Sequence, residues 1–184
     1  MQIDNLKLVT PDVRYYESFQ EAHKEWDGAL QHGAGIRDFD DVESPEGFAA
    51  WVDALRRYEN EVLDPDFVTC TFKWIVDGDN YVGSIALRHE LTPNLLKWGG
   101  QIGYGIRPSY RGRKIASWAL EQTLQDAKSR GMTKVLATCD EANEASYKTL
   151  TRHGGVFEDV RFDDDGRGHR RYWFDLSQLS SVNA

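Results

Sequence analysis

Residues 106 to 116 read I-R-P-S-Y-R-G-R-K-I-A, which places Arg107, Arg111, Arg113 and Lys114, with no acid among them, in a chain whose formal net charge is -8. The stretch follows a short apolar run of strand character and opens a long amphipathic run of helix character. Backbone amides at the positive end of a helix, ringed by Arg and Lys, make a receptor for an anion. A loop of this length can surround a pyrophosphate rather than a single phosphate. On composition alone, a solvated helix start carrying four bases accounts for the same residues.

Other chemistries find little support. The chain has no G-x-S-x-G nucleophile elbow, no G-x-x-x-x-G-K-S/T phosphate loop and no H-E-x-x-H zinc helix. G-G-Q-I-G-Y-G lies before and within a strand and lacks the dinucleotide spacing. D-D-D-G resembles part of a calcium loop, but Arg161 stands where the first acid belongs and Tyr172 where the closing Glu belongs, so it reads as a hairpin turn. Cys70 and Cys139 are far apart and lack histidines at metal spacing, so we expect buried free thiols and no metal.

With 184 residues, 40% hydrophobic and 12% aromatic, the chain is long enough for one domain with a full core. No segment approaches the roughly 20 apolar residues that span a bilayer. M-Q-I-D-N-L-K lacks the basic-then-apolar pattern of an export signal. We therefore expect a soluble, cytoplasmic protein with no membrane partner. Residues 1–66 hold 16 of the 30 acids and only 6 of the 22 bases, and the remainder is mildly basic. A pI near 5.1 argues against a nucleic-acid partner, because displacing counterions from phosphates needs a broad basic face.

The elements that must position the cationic loop can be drawn from pattern. A strand over Leu6 to Val9 precedes a helix with Thr10 as cap and Pro11 at its opening position. Ser44 and Pro45 repeat the device, and Phe48, Trp51, Val52, Leu55 and Tyr58 form a core stripe at helical spacing. F-V-T-C-T-F-K-W-I-V and Y-V-G-S-I-A-L-R-H-E-L flank a D-G-D-N turn and read as a hairpin. Gln101 to Ile106 is a fourth strand, softened by Gly103 and Gly105, which marks a bulge or a close approach by another segment. A helix follows from about Lys114 to Arg130, with Ala116, Leu120, Leu124 and Ala127 on one face and Gly131 as its stop. T-K-V-L-A-T-C is a buried strand, Asn143 to His153 a second helix stopped by Gly154 and Gly155, and the chain ends in a closing hairpin.

Strand, R-x-x-x-x-A loop, helix, strand, then N-x-x-S on a second helix ending in R-H-G-G resembles the GNAT family of N-acetyltransferases, best over Val82 to Val160. The strings I-G-Y-G-I-R-P-S-Y-R-G-R-K-I-A, T-C-D-E-A-N-E-A-S and H-G-G-V-F-E-D are similar to one acetyltransferase branch in particular. The resemblance implies an α/β fold: a mixed sheet of six to seven strands, splayed between the fourth and fifth, flanked by about four helices. It implies one domain over 1–184, divided into acceptor-side helices (1–66), an acetyl-CoA-binding core (67–160) and a C-terminal hairpin (161–184). The co-substrate is then acetyl-CoA, its pantetheine arm entering the splay.

The resemblance also assigns roles. Amides near Ile106 and Arg107 would meet the pantetheine and polarise the thioester carbonyl. Arg111, Gly112, Arg113, Lys114, Ile115 and Ala116 would hold the pyrophosphate, and Arg152 would meet the 3'-phosphate. The family pattern R/Q-x-x-G-x-G/A departs here, because Lys114 replaces its middle glycine. Many members carry a tyrosine seven residues after the motif asparagine as the acid for the departing thiolate, and that position here is Leu150. Ser146 is the substitute, with Tyr147 one turn before Leu150. A small residue that lets the helix pack near CoA explains Ser146 equally well. Asn143 is assigned to the cofactor, although as a helix N-cap it needs no ligand.

Direct attack by an amine on the thioester needs a neutral amine, a polarised carbonyl and a stabilised leaving thiolate. His89 and Glu90, ending the third strand, are the candidate bases, and strand alternation lets at most one point at the reaction centre. Asp38, Asp40, Asp41 and Glu43 in the acidic front segment would draw in a cationic small-molecule or peptide amine, although they serve solubility equally well. Binding of acetyl-CoA without turnover, as a sensor or structural domain, is the alternative. Tyr172, Trp173 and Phe174 of the closing hairpin could pair two copies into a homodimer, or be buried in the monomer.

Overall fold

The computed structural model describes residues 5–179, and by packing they divide into two units. The first runs to His89 and includes Tyr104–Ala116; the second comprises Glu90–Gly103 and Ser117 onward. In the first, β1 (Leu6–Val9), β2 (Cys70–Asp77), β3 (Asn80–Arg88) and the end of β4 (Ile102–Ile106) are neighbours in that order. β1 and β2 are antiparallel from Leu6↔Asp77 to Val9↔Trp74, and β2 and β3 form the expected hairpin, with Gly78 in the left-handed region at its turn.

Two helices cover this part of the sheet: α1 (Tyr16–Glu25) and α2 (Pro45–Arg57). Ser44 caps α2 as its sequence predicts, accepting from the Gly47 amide at 3.1 Å. The start of α1 differs from the expectation at Thr10 and Pro11. Asp12 accepts from the Arg14 amide, nucleates a 3-10 turn over Val13–Tyr15, and α1 begins only after it. A carboxylate accepts an amide hydrogen bond two residues on more strongly than a threonine hydroxyl does, so the cap moves to Asp12.

Phe19 of α1 is fully buried where both helices meet the sheet. Its ring lies 5.1 Å from Phe48, 5.1 Å from Trp51, 5.2 Å from Tyr81 and 5.9 Å from Trp74 between centroids. Aromatic pairs at such spacings add about 0.5–1.5 kcal/mol each beyond the area they bury. The α2 stripe is core throughout, with Phe48, Trp51, Val52, Leu55 and Tyr58 all buried. This packing fixes the end of α1, and with it the segment that faces the cationic loop.

In the second unit the order is β4, β5 (Lys134–Asp140), β7 (Gly168–Asp175), β6 (Val156–Phe162). β5 runs parallel to β4, their register given at Ile102↔Ala137, and antiparallel to β7 from Lys134↔Asp175 to Asp140↔His169. Parallel and antiparallel pairs together make the mixed sheet that the family resemblance implies. Val135, Leu136 and Ala137 are buried, as the apolar run of β5 requires. α3 (Ile115–Ser129) and α4 (Glu144–Arg152) complete the α/β architecture. The turn after β6 closes as a plain hairpin, Asp163 accepting from the amides of Asp165 and Arg167. Tyr172 and Phe174 are buried and Trp173 is half-buried, donating to Glu158, so these aromatics do not form the exposed pairing surface a homodimer there would need.

β3 and β4 approach unusually closely: a Cβ at Gly83 would lie 2.3 Å from the Gly105 carbonyl oxygen. Backbone cannot yield as a side chain can, so Gly83→Ala is expected to lower unfolding free energy by about 1–3 kcal/mol, read from urea denaturation midpoints.

Candidate active site

The cationic stretch is built on the end of β4. Arg107 donates its amide to the Val82 carbonyl at 2.8 Å, Pro108–Tyr110 make a 3-10 turn, and α3 opens at buried Ile115. Between them the backbone alternates in hand, with Gly112 at φ 77° and Lys114 at φ 62°. Such alternation turns successive N–H groups toward one side, the geometry of an anion nest. The amides of Gly112, Arg113 and Lys114 meet no acceptor among the described residues. The Lys114 side chain is exposed, as the sequence reading required of a residue in a glycine position.

Glu25, the last residue of α1, anchors this loop. It accepts from Arg107 Nε at 2.6 Å, from the Ser109 amide at 2.9 Å and from the Ser109 hydroxyl at 3.1 Å. Burial opposes its charge, but the Ser109 hydrogen bonds together with Arg107 outweigh that and hold its pKa below the ordinary 4.5. Arg107 is thereby neutralised. Arg111 donates Nε to the Ile106 carbonyl at 3.0 Å and lies 4.7 Å over the Trp26 ring. Arg113 donates to the Ser109 carbonyl at 2.9 Å and lies 5.0 Å over Tyr110. Arg111, Arg113 and Lys114 have no carboxylate partner among the described residues. Three free amides and three uncompensated cations at a helix start suit a multiply charged phosphate group.

Gly105 of β4 has a second tight neighbour. A Cβ there would lie 2.8 Å from the His32 carbonyl oxygen and 3.0 Å from Trp26 Cη2. The glycine that softens β4 therefore makes room for the segment after α1. His89 is not free to pivot: one ring nitrogen pairs with the Thr71 hydroxyl at 2.8 Å and the other with Thr69 at 3.0 Å. Of the four front-segment acids, two hold the turn into α2. Asp40 accepts from the Arg37 amide, and Asp41 accepts from the Ser44 hydroxyl and the amides of Ser44 and Glu43, which hold its pKa low.

In the second unit, Asn143 caps α4 by accepting from the Ser146 amide at 3.1 Å. The Ser146 hydroxyl hydrogen-bonds the Cys139 thiol, whose pKa burial pushes up to about 11 against that bond and the charge of Arg170. Cys139 is therefore a thiol at neutral pH, not a nucleophile. Arg170, opposite Cys139 in the β5–β7 register, lies 4.7 Å over the Tyr147 ring, and its Nε is buried without a hydrogen-bond partner among the described residues. Tyr147 directs its hydroxyl to Glu144 at 3.4 Å, Leu150 is fully buried, Arg152 is exposed at the end of α4, and Glu90 is exposed. Pattern reading missed Glu25, Trp26 and Arg170. Their roles depend on partners distant in sequence, such as the 82 residues between Glu25 and Arg107.

A cavity of about 240 Å³ lined by Leu55, Arg56, Glu59, Asn60, Phe72 and Lys73 includes none of these residues. Among the described residues no cluster of His, Cys, Asp and Glu could hold a metal ion, and no helix is long and apolar enough to cross a membrane.

The acetyltransferase (GNAT) domain model matches residues 6–156. No curated protein matches the chain in sequence. Solved structures match across nearly the whole length. The microcin C7 self-immunity acetyltransferase MccE, in complex with acetyl-CoA and AMP, has a TM-score of 0.69 at 15% identity, covering 94% of this chain and 93% of its own. The ribosomal-protein alanine acetyltransferase of Vibrio fischeri has a TM-score of 0.67 at 16% identity, with 95% and 94% covered. An acetyl transferase of Salmonella typhimurium that modifies the N-terminal serine of a 50S ribosomal subunit protein has a TM-score of 0.64 at 17% identity, with 93% and 95% covered. At these identities the likeness establishes the fold.

Two outcomes test the loop. Lys114→Gly is expected to raise unfolding free energy by about 0.5–1 kcal/mol, the relief of a left-handed residue less the added freedom of glycine in the unfolded chain. Because the folded pKa of Glu25 is depressed, its contribution is fully present above about pH 4.5 and is lost as pH falls below that value. Glu25→Gln should therefore lower the urea midpoint at pH 7 and flatten its decline on acidification below pH 4.5.

Proposed function

Because the chain belongs to the acetyltransferase (GNAT) domain family, we propose that it moves the acetyl group of acetyl-CoA to a primary amine of a small molecule or peptide, both substrates being bound together. The observation that carries this reading is the nest at Gly112–Lys114, where free amides and the unpaired charges of Arg111, Arg113 and Lys114 meet the start of α3. Those groups fit the pyrophosphate of acetyl-CoA, and Ile115 and Ala116 continue the run of helix-opening amides. Arg107 serves the cofactor indirectly, by holding the loop to Glu25. Arg152 is assigned to the 3'-phosphate, and Asn143 with Ser146 to the pantetheine side. We place the protein in the cytoplasm as one acetyltransferase domain.

Bound acetyl-CoA supplies the activated acetyl thioester. The amide near Ile106 polarises the acetyl carbonyl. Glu90 takes the proton of the attacking amine, directly or through water, since His89 has both ring nitrogens engaged. Ser146 is assigned to the leaving group as a hydrogen-bond donor that keeps its own proton, and the departing CoA thiolate takes its proton from solvent. Asp38, Asp40, Asp41 and Glu43 are assigned to attract a cationic acceptor, Asp40 and Asp41 holding the turn into α2 as well. That one fold relative modifies the N-terminal serine of a ribosomal protein, another is a ribosomal-protein alanine acetyltransferase and a third is a microcin self-immunity acetyltransferase supports an amine on a peptide or small molecule. A second reading, acetyl-CoA binding without turnover, draws on buried Leu150 at the position where many members carry the acid tyrosine.

Calorimetric titration with acetyl-CoA, CoA and dephospho-CoA, followed by thiol release over an amine panel, tests the proposal. Micromolar binding weakened by loss of the 3'-phosphate, with CoA release on adding an amine, is expected; binding without release would favour the second reading. Arg113→Ala should weaken acetyl-CoA binding about tenfold, as loss of one charge-assisted contact predicts.

A further inference from the structure

We propose that the cavity between the end of α2 and β2 binds a small zwitterion, an α-amino acid with an aliphatic side chain, at a site separate from the anion loop. The cavity holds about 240 Å³, and its lining residues all belong to the first unit. At roughly 30 Å³ per water it has room for about eight, which suits a molecule of about eight to ten non-hydrogen atoms. It is smaller than the roughly 300–1,000 Å³ of sites for drug-sized ligands, so a nucleotide does not fit.

The lining carries both signs of charge beside an apolar floor. Leu55 is buried and Phe72 half-buried, and together they offer an aliphatic chain a surface away from water. Lys73 is half-buried, and its ammonium donates to the Thr10 hydroxyl at 3.1 Å. It has no carboxylate partner among the described residues. An ammonium has three donors, so two remain for a ligand. Arg56, the other cation of the cavity, is committed: its Nε donates to the Pro11 carbonyl at 2.7 Å and its Nη2 pairs with Asp12 at 3.1 Å.

Glu59 lines the same cavity and is half-buried, yet it does not pair with Lys73. A cation and a carboxylate held apart in one small space each lack the counter-charge that offsets desolvation. A plain carboxylate would satisfy Lys73 but be repelled by Glu59, and a plain amine would do the reverse. An α-amino acid carries both groups on one carbon and meets both walls. The cavity shares no residue with the anion loop, Trp26 or Gly105, so its occupant is bound and not acetylated.

The test is an amide chemical-shift titration of the whole chain with L-leucine, 4-methylpentanoate and 3-methylbutylamine, the last two each lacking one charge of the first. L-leucine should bind with Kd of about 0.1–1 mM, and each analogue about tenfold more weakly. Lys73→Met should weaken L-leucine about tenfold without affecting 3-methylbutylamine, and Glu59→Gln should weaken it about tenfold without affecting 4-methylpentanoate. If Lys73→Met fails to fold, Glu59→Gln decides. Absence of L-leucine binding at about 20 mM, binding that Glu59→Gln leaves unchanged, or 4-methylpentanoate bound as tightly as L-leucine overturns the proposal. So does loss of L-leucine binding at saturating acetyl-CoA, because separate sites predict no competition. Failure to bind acetyl-CoA would overturn the acetyl-transfer reading and leave this site standing.

Discussion

A carboxylate at the wrong end of a helix holds the anion loop in place. Glu25 is the last residue of α1, where the helix dipole disfavours negative charge, and it is partly buried as well. Its ionised state persists because Ser109 donates twice and Arg107 pairs with it at 2.6 Å. With Arg107 spent on this anchor, the loop is ordered without a ligand, and the phosphate binding proposed for it would start from that ordered state. An already ordered loop loses little further entropy on binding, which is how preorganisation adds to affinity.

The loop's remaining cations are left unpaired in a chain that is acidic overall. Arg111 and Arg113 are tied by one nitrogen each to backbone carbonyls within the same loop, so their guanidinium groups are oriented but not neutralised. Lys114 adds both charge and strain. A β-carbon at φ 62° costs roughly 1–2 kcal/mol, and the exposed position avoids any further steric cost. Strain retained at the centre of a candidate phosphate site is tolerable because α3 on one side and the Glu25 anchor on the other determine the local backbone.

The same economy of roles appears among the acids. Asp40 and Asp41, read in the sequence as part of a charged lure, also accept the amides that turn the chain into α2, and hydrogen bonds from neutral amides do not cancel a carboxylate's charge. Charge counting alone cannot separate a solvated carboxylate from one that closes a turn, because both raise the local acid content equally. His89 shows the converse: a residue type suited to proton transfer is held by two threonine hydroxyls. In each case the decisive fact is the partner, not the residue.

Much was legible in the amino-acid order because it rests on local physics. The strand runs, the Ser44 and Asn143 caps, glycine stops and the basic run opening α3 each involve residues a few positions apart, and all recur in the structure, whereas β3 ends at Arg88, so the alternation expected of His89 and Glu90 does not apply. The order of motifs pointed to the family, and Lys114 in a glycine position could be seen to require an exposed side chain. Even local chemistry had a near miss, since Asp12 outcompetes Thr10 for the first cap. Tertiary structure alone decided the Glu25 anchor, the contact of Trp26 and His32 with Gly105, the pairing of Ser146 with Cys139, and the cavity shared by Glu59 and Lys73. These depend on which distant segments share a neighbourhood after the aromatic core has packed. Hydrogen bonding and desolvation act over a few ångströms of space, whatever the separation along the chain.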